Sequence, residues 1–123
     1  MTDAPDTLIG KSLEWSGVHH TAEGDFADLS THTVTYETAT TCYVTAGGKR
    51  VGDASYTYTR LSRTVAVVIY RPSLYQGRTD VTLYAMFDFE KGTDRAVILD
   101  GDTPFAVADG TIRTVPTPPH PAS

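Results

Sequence analysis

Tyr56, Tyr58 and Arg60 recur at every second position of "SYTYTR", and Tyr70 and Arg71 close the valine run that follows. On a strand that spacing places the first three on one face. Turned inward, two phenols would donate hydrogen bonds and Arg60 would hold a carboxylate or enolate. A buried arginine requires a carboxylate partner, and neither Glu14 nor Glu37 is expected inside. Arg60 is therefore expected on the outer face, with Tyr58 open to either side. Histidine is the side chain suited to proton transfer near neutral pH, so His20, beside His19, could shuttle a proton at a cavity rim. Against that, two neighbouring histidines after "EWSG" point different ways and most often meet solvent.

Other chemistries lack their signatures. No His-x-His, cysteine pair or acid at ligand spacing supports a metal. Asp100–Pro104 reads as an acidic turn, too short for a calcium loop. Serine-hydrolase, nucleotide-phosphate and dinucleotide fingerprints are missing. Cys42 stands alone and reads as a small strand residue. No cofactor and no metal are expected.

The elements that must position these groups read as strands. No stretch sustains helical apolar spacing between a cap and a stop. Thr, Val and Tyr dominate runs such as "SLEWS", "DFADLS", "HTVTYET", "TCYVTA", "RTVAVVIYR", "TDVTLYAMFDFE", "DRAVILD", "PFAVAD" and "TIRTV". Turn signals such as "TAGGKR", "EKGTD", "LDGDTP" and "ADG" separate them. The pattern predicts an all-β domain, a single antiparallel up-and-down β-barrel of eight to ten strands. Its 123 residues form one domain. Residues 8–115 are the expected body, 1–7 a flexible lead-in and 116–123 a Pro-rich tail. In "HTVTYET", His32, Val34 and Tyr36 share a face. The run Val65–Tyr70 is apolar on both faces, so its outer side would be covered by a terminal segment or a second copy of the chain.

A net charge of −5 without a basic block argues against a nucleic-acid partner. The longest apolar run is far short of the roughly 20 residues of a membrane span. With no basic-then-apolar leader and a lone cysteine, a cytoplasmic setting is expected.

The order "LIGKSLEWSG", "EGDF", "HTVTYE", "YTYTRLSRTVAVVIYRP" and "GRTDVTLYAMFD" resembles the MoaF-like and phenolic acid decarboxylase barrels, of calycin, lipocalin-like type, over residues 8–100. The resemblance implies a barrel with a ligand in its interior. Carried over residue by residue, it also implies altered chemistry. Trp15 and Gly17 stand where the decarboxylases have two carboxylate-gripping tyrosines. Lys49, with Arg50 beside it, matches their arginine. Pro72 matches their catalytic glutamate and Tyr70 the tryptophan before it. Proline transfers no proton, so phenolic acid decarboxylation is not expected.

In that register Leu13, Trp15, Val34, Tyr36, Val68 and Tyr70 point inward. Aromatic walls with a few hydroxyls suit a small apolar or aromatic organic ligand, although side chains can equally fill a small barrel. The expected function is a ligand-binding barrel acting as a cofactor-free isomerase or cyclase, in the manner of bacterial secondary metabolism. Tyr36, Tyr58, Tyr70 and His20 are its catalytic candidates. Leu13, Trp15, Val34, Val68, Arg71, Tyr84 and Met86 are its ligand-binding candidates. The rivals are a carrier using the same cavity and a filled barrel that forms a homodimer through its apolar outer face.

Overall fold

The computed structural model describes residues 3–26, 31–75 and 77–118. They form β1 (Ser12–Thr21), β2 (Gly24–Phe26), β3 (Thr31–Tyr36), β4 (Thr41–Ala46), β5 (Lys49–Arg60), β6 (Val65–Pro72), β7 (Val81–Asp88), β8 (Thr93–Asp100) and β9 (Thr103–Val115). From β3 to β9 each strand pairs antiparallel with the next, and β9 returns to β1 from Ser12↔Val115 to Thr21↔Ala106. Eight strands thus close into a barrel, which leaves no long unpaired edge among the described residues. The short β2 lies beyond β3 along the same side of β1. The hairpin between β4 and β5 turns on Gly47 and Gly48, both at positive φ, which side-chain-bearing residues rarely adopt. No helix of the described residues is long and apolar enough to cross a membrane.

Two expected breaks fall differently. "PFAVAD" and "TIRTV" are one continuous strand, β9, because Gly110 is a packing position and not a turn. "DFADLS" contributes only Asp25 and Phe26 to β2, and its remaining residues lie outside those described.

Gly110 pairs with Gly17 across the β1–β9 seam. A Cβ on Gly110 would sit 2.5 Å from Trp15 Cε2, and one on Gly17 2.8 Å from Trp15 Cζ2. The paired glycines therefore form the shelf on which the indole lies. Without them a residue as large as tryptophan could not lie flat against the inner wall.

One barrel end is closed by residues 3–8, which take in most of the expected lead-in 1–7 and the first residue of the expected body. Ala4 and Leu8 are buried in the core. Ala4 donates its N–H to the Arg63 carbonyl, and Tyr58 donates its hydroxyl to the Pro5 carbonyl at 2.5 Å. Arg60 shares the inner face with Tyr56 and Tyr58, against the outer-face expectation. The acid it needs comes from this segment: Asp6 accepts from Arg60 at 2.9 Å, and Asp3 from Arg63 at 2.7 Å. Burying Leu8 alone is worth about 2 kcal/mol. The described start of the tail leaves β9 at this closed end, where Thr117 meets the Ser12 hydroxyl at 3.0 Å.

Outside, Val67 and Ile69 are half-buried beside their cross-strand neighbours Met86 and Tyr84, which are exposed. That outer band of Val65–Tyr70 is therefore not covered by a segment among the described residues.

Candidate functional site

Above the closed end the barrel holds a cavity of about 150 Å³, comparable to the space that accommodates a benzene-sized ring. It opens between the β4–β5 hairpin and the β6–β7 connection, where Val51 and Leu74 line it and remain exposed. Period-two alternation assigns its walls. Leu13, Trp15 and His19 come from β1, His32, Val34 and Tyr36 from β3, and Tyr70 from β6. Leu83, Ala85 and Phe87 come from β7, with Asp94 and Ala96 from β8.

The expected residues divide along this alternation. Leu13, Trp15, Val34, Tyr36 and Tyr70 line the cavity. Val68 is fully buried in the core without lining the cavity, since it pairs with Tyr58, one step nearer the closed end than Tyr70. Tyr58 is committed to Pro5 at the closed end. His20 is a correction: Trp15, Gly17 and His19 share the inner phase, so His20 points outward, where it meets Asp25 at 2.7 Å. Arg71 is exposed because Tyr70 and Pro72 take the inner phase. Tyr84 and Met86 lie on the outer face, since β7 turns Leu83, Ala85 and Phe87 inward. Both phases of "VTLYAMFD" are apolar, so periodicity alone could not choose between them.

The polar groups left inside are few. Tyr36 and Tyr70 are hydrogen-bonded to each other through their hydroxyls. Burial pushes both phenols well above their ordinary range, and nearby Asp94 adds to it. Tyr56 packs edge-on against Tyr36, ring centres 5.0 Å apart, and donates to the Thr38 carbonyl. Cys42 directs its thiol at the Ala54 carbonyl at 3.6 Å. Burial, then Asp53, pushes that thiol to about 12, leaving it a poor nucleophile at neutral pH.

Asp94 is the residue that sequence reading missed. It sits between Phe87 and Gly110 in the ladder, is 9% exposed, and its Oδ1 has no hydrogen-bond partner. Burial raises its carboxyl to about 8. The indole N–H of Trp15 is likewise buried without a partner. Buried polar atoms normally find one, so two orphans facing one cavity mark where a ligand would bond. The available signal was phase: in "DRAVILD", Asp94 keeps step with Ala96 and Ile98, while Arg95, Val97 and Leu99 take the other face. "EKGTD" reads as an acidic turn, which hid it.

Fold and cavity together define a class, the closed antiparallel eight-strand β-barrel with an interior cavity the size of one small molecule. No family model and no curated protein matches the sequence. Among solved structures the chain is similar to a protein of Burkholderia vietnamiensis described as "a putative beta-lactamase", with a TM-score of 0.62 and 20% identity. That alignment covers 93% of this chain and 100% of the other. At this identity the likeness is one of fold.

Proposed function

We propose that the barrel binds a small, largely apolar carbonyl compound and isomerises it by moving a proton through Asp94. The observation that carries this reading is a buried carboxyl with a vacant oxygen, facing an aromatic cavity beside a hydrogen-bonded tyrosine pair. A proton-transfer group works best with a pKa near the ambient pH, and about 8 meets that condition. As carboxylate, Asp94 takes a proton from the carbon next to the carbonyl. The C–H electron pair becomes a C=C bond and the carbonyl π pair moves to oxygen. One hydroxyl of the Tyr36–Tyr70 pair donates to the other, which leaves its partner's proton free to bond the enolate oxygen. Asp94 then returns the proton to the γ-carbon and recovers its negative charge. Nothing is consumed, so no cofactor is needed.

In this reading the chain is a divergent relative of the MoaF-like and phenolic acid decarboxylase-like barrels that keeps the container and changes the chemistry. The inward placement of Trp15 and Tyr70 supports it. The β-lactam chemistry in the description of the Burkholderia protein gains no support from the cavity wall. Among the described residues that wall carries no serine, threonine or lysine, and its one thiol is held protonated.

A panel of simple carbonyl compounds tests the reaction class directly. Single-ring ketones and β,γ-enones, cyclohex-3-en-1-one among them, are incubated with the protein in heavy water and followed by proton NMR. The wild type is expected to raise α-deuteration or double-bond migration at least about tenfold over buffer, within the usual yield of general acid–base catalysis. Asp94→Asn, which cannot accept the proton, should return to the buffer rate. Exchange unchanged in the variant would remove Asp94 from the mechanism. Binding without exchange would make the protein a carrier.

A further inference from the structure

The two unpartnered polar atoms specify the ligand more closely than the cavity's shape does. Their separation follows from the β-ladder. Asp94 is the direct cross-strand neighbour of Gly110, and paired Cβ positions lie about 5 Å apart. A Cβ on Gly110 would lie 2.5 Å from Trp15 Cε2, the ring atom bonded to the indole nitrogen. The indole N–H and the Asp94 carboxyl therefore flank the same few ångströms of cavity, close enough for one functional group to bond both. Among the described residues the wall contains Asp94 and Asp53 but no lysine or arginine. An anion entering there would lose its hydration and find no lysine or arginine to replace it, with only His19 and His32 as basic side chains in the wall.

We infer that the ligand is an uncharged, single-ring-sized molecule whose polar end presents a carbonyl beside an N–H or O–H, as in a carboxamide or an enolised dicarbonyl. Its carbonyl oxygen accepts from the Trp15 N–H and from the Asp94 O–H. Its own N–H or O–H donates to Asp94 Oδ1. Each buried orphan is then paired, and no charge enters the barrel. This rests on the cavity of the proton-transfer reading and describes its resting state, in which Asp94 holds its proton, so it depends on binding alone and not on turnover.

Four compounds of one size and different polar ends decide it: benzamide, acetophenone, benzoate and benzylamine, titrated at pH 7. Trp15 is the chain's one tryptophan, so its fluorescence reports the site, and calorimetry supplies an independent Kd. Benzamide is expected to bind at least tenfold tighter than acetophenone, which lacks the donor, with benzoate and benzylamine weaker still. In Asp94→Leu, which keeps an apolar side chain of similar size in the wall, benzamide should fall to the level of acetophenone. Equal binding of benzamide and acetophenone would overturn the donor requirement. Benzoate or benzylamine ranking first would overturn the neutral class, and no binding by any of the four would overturn the inference altogether. A failed deuterium exchange alongside the expected ranking would refute the proposed isomerisation and leave this inference standing.

Discussion

Asp94→Asn is expected to be more stable than the wild type, by a margin that grows with pH. The carboxyl is raised to about 8 in the fold by burial, against an ordinary value of 3.8. Between those values the folded protein keeps the proton and the unfolded chain releases it. Stability therefore falls as pH rises across this window, by about 1.4 kcal/mol per unit. The contribution is fully present below about pH 4 and lost as pH passes through about 8. Asparagine is neutral throughout and escapes the penalty. The two proteins should unfold alike in urea near pH 4, and differ by about 4 kcal/mol near pH 7. A margin that stays constant with pH would mean that Asp94 is ionised and solvated in the native barrel. A stabilising loss of a polar residue is itself informative, because such penalties are retained where function needs them.

Gly110→Ala is expected to cost about 3 kcal/mol or more, the upper range for overpacking. The added methyl would lie 2.4 Å from the Ser16 carbonyl oxygen and 2.5 Å from Trp15 Cε2. The first atom is backbone within the barrel seam and cannot yield without opening β1 from β9. The second can yield only by moving the indole off its shelf and into the cavity. Urea unfolding measures the loss, and Trp15 emission should change in the folded variant. Stability within about 0.5 kcal/mol of wild type would show that the glycine pair is not what seats the indole.

The barrel was legible in the sequence because its evidence is local. Alternation in "HTVTYET" and the glycine turn of "TAGGKR" each fix an element and its neighbour, and a meander needs little more. Trp15, Tyr36 and Tyr70 were legible as interior residues for the same reason. Phase was harder wherever both faces are apolar, as in "VTLYAMFD", and there Tyr84 and Met86 were placed inside in error. His20, expected at the cavity rim, turned on a different question, which of two neighbouring histidines faces the cavity. Adjacent histidines cannot both face inward, and the register of β1 through Gly17 selects His19. The pairing of Gly17 with Gly110, 93 positions apart in sequence, became visible only when β9 closed on β1. Asp94 required two steps: the inner phase of β8, and the recognition that no lysine or arginine among the described residues faces it. Arg60 shows the converse, since its counter-charge, Asp6, lies in a segment that composition alone marks as loose.

The proposed function depends on Asp94 taking up and releasing a proton near neutral pH inside a ligand-sized cavity. A carbon NMR titration of its side-chain carboxyl, from pH 3 to 9.5, measures that state directly, with Asp94→Asn assigning the signal. His19 and His32 also line the cavity, so the carboxyl carbon itself must be observed. A midpoint near 8 is the predicted result. A midpoint near 4, the ordinary carboxylate value, would contradict it and show Asp94 ionised and solvated in the native barrel.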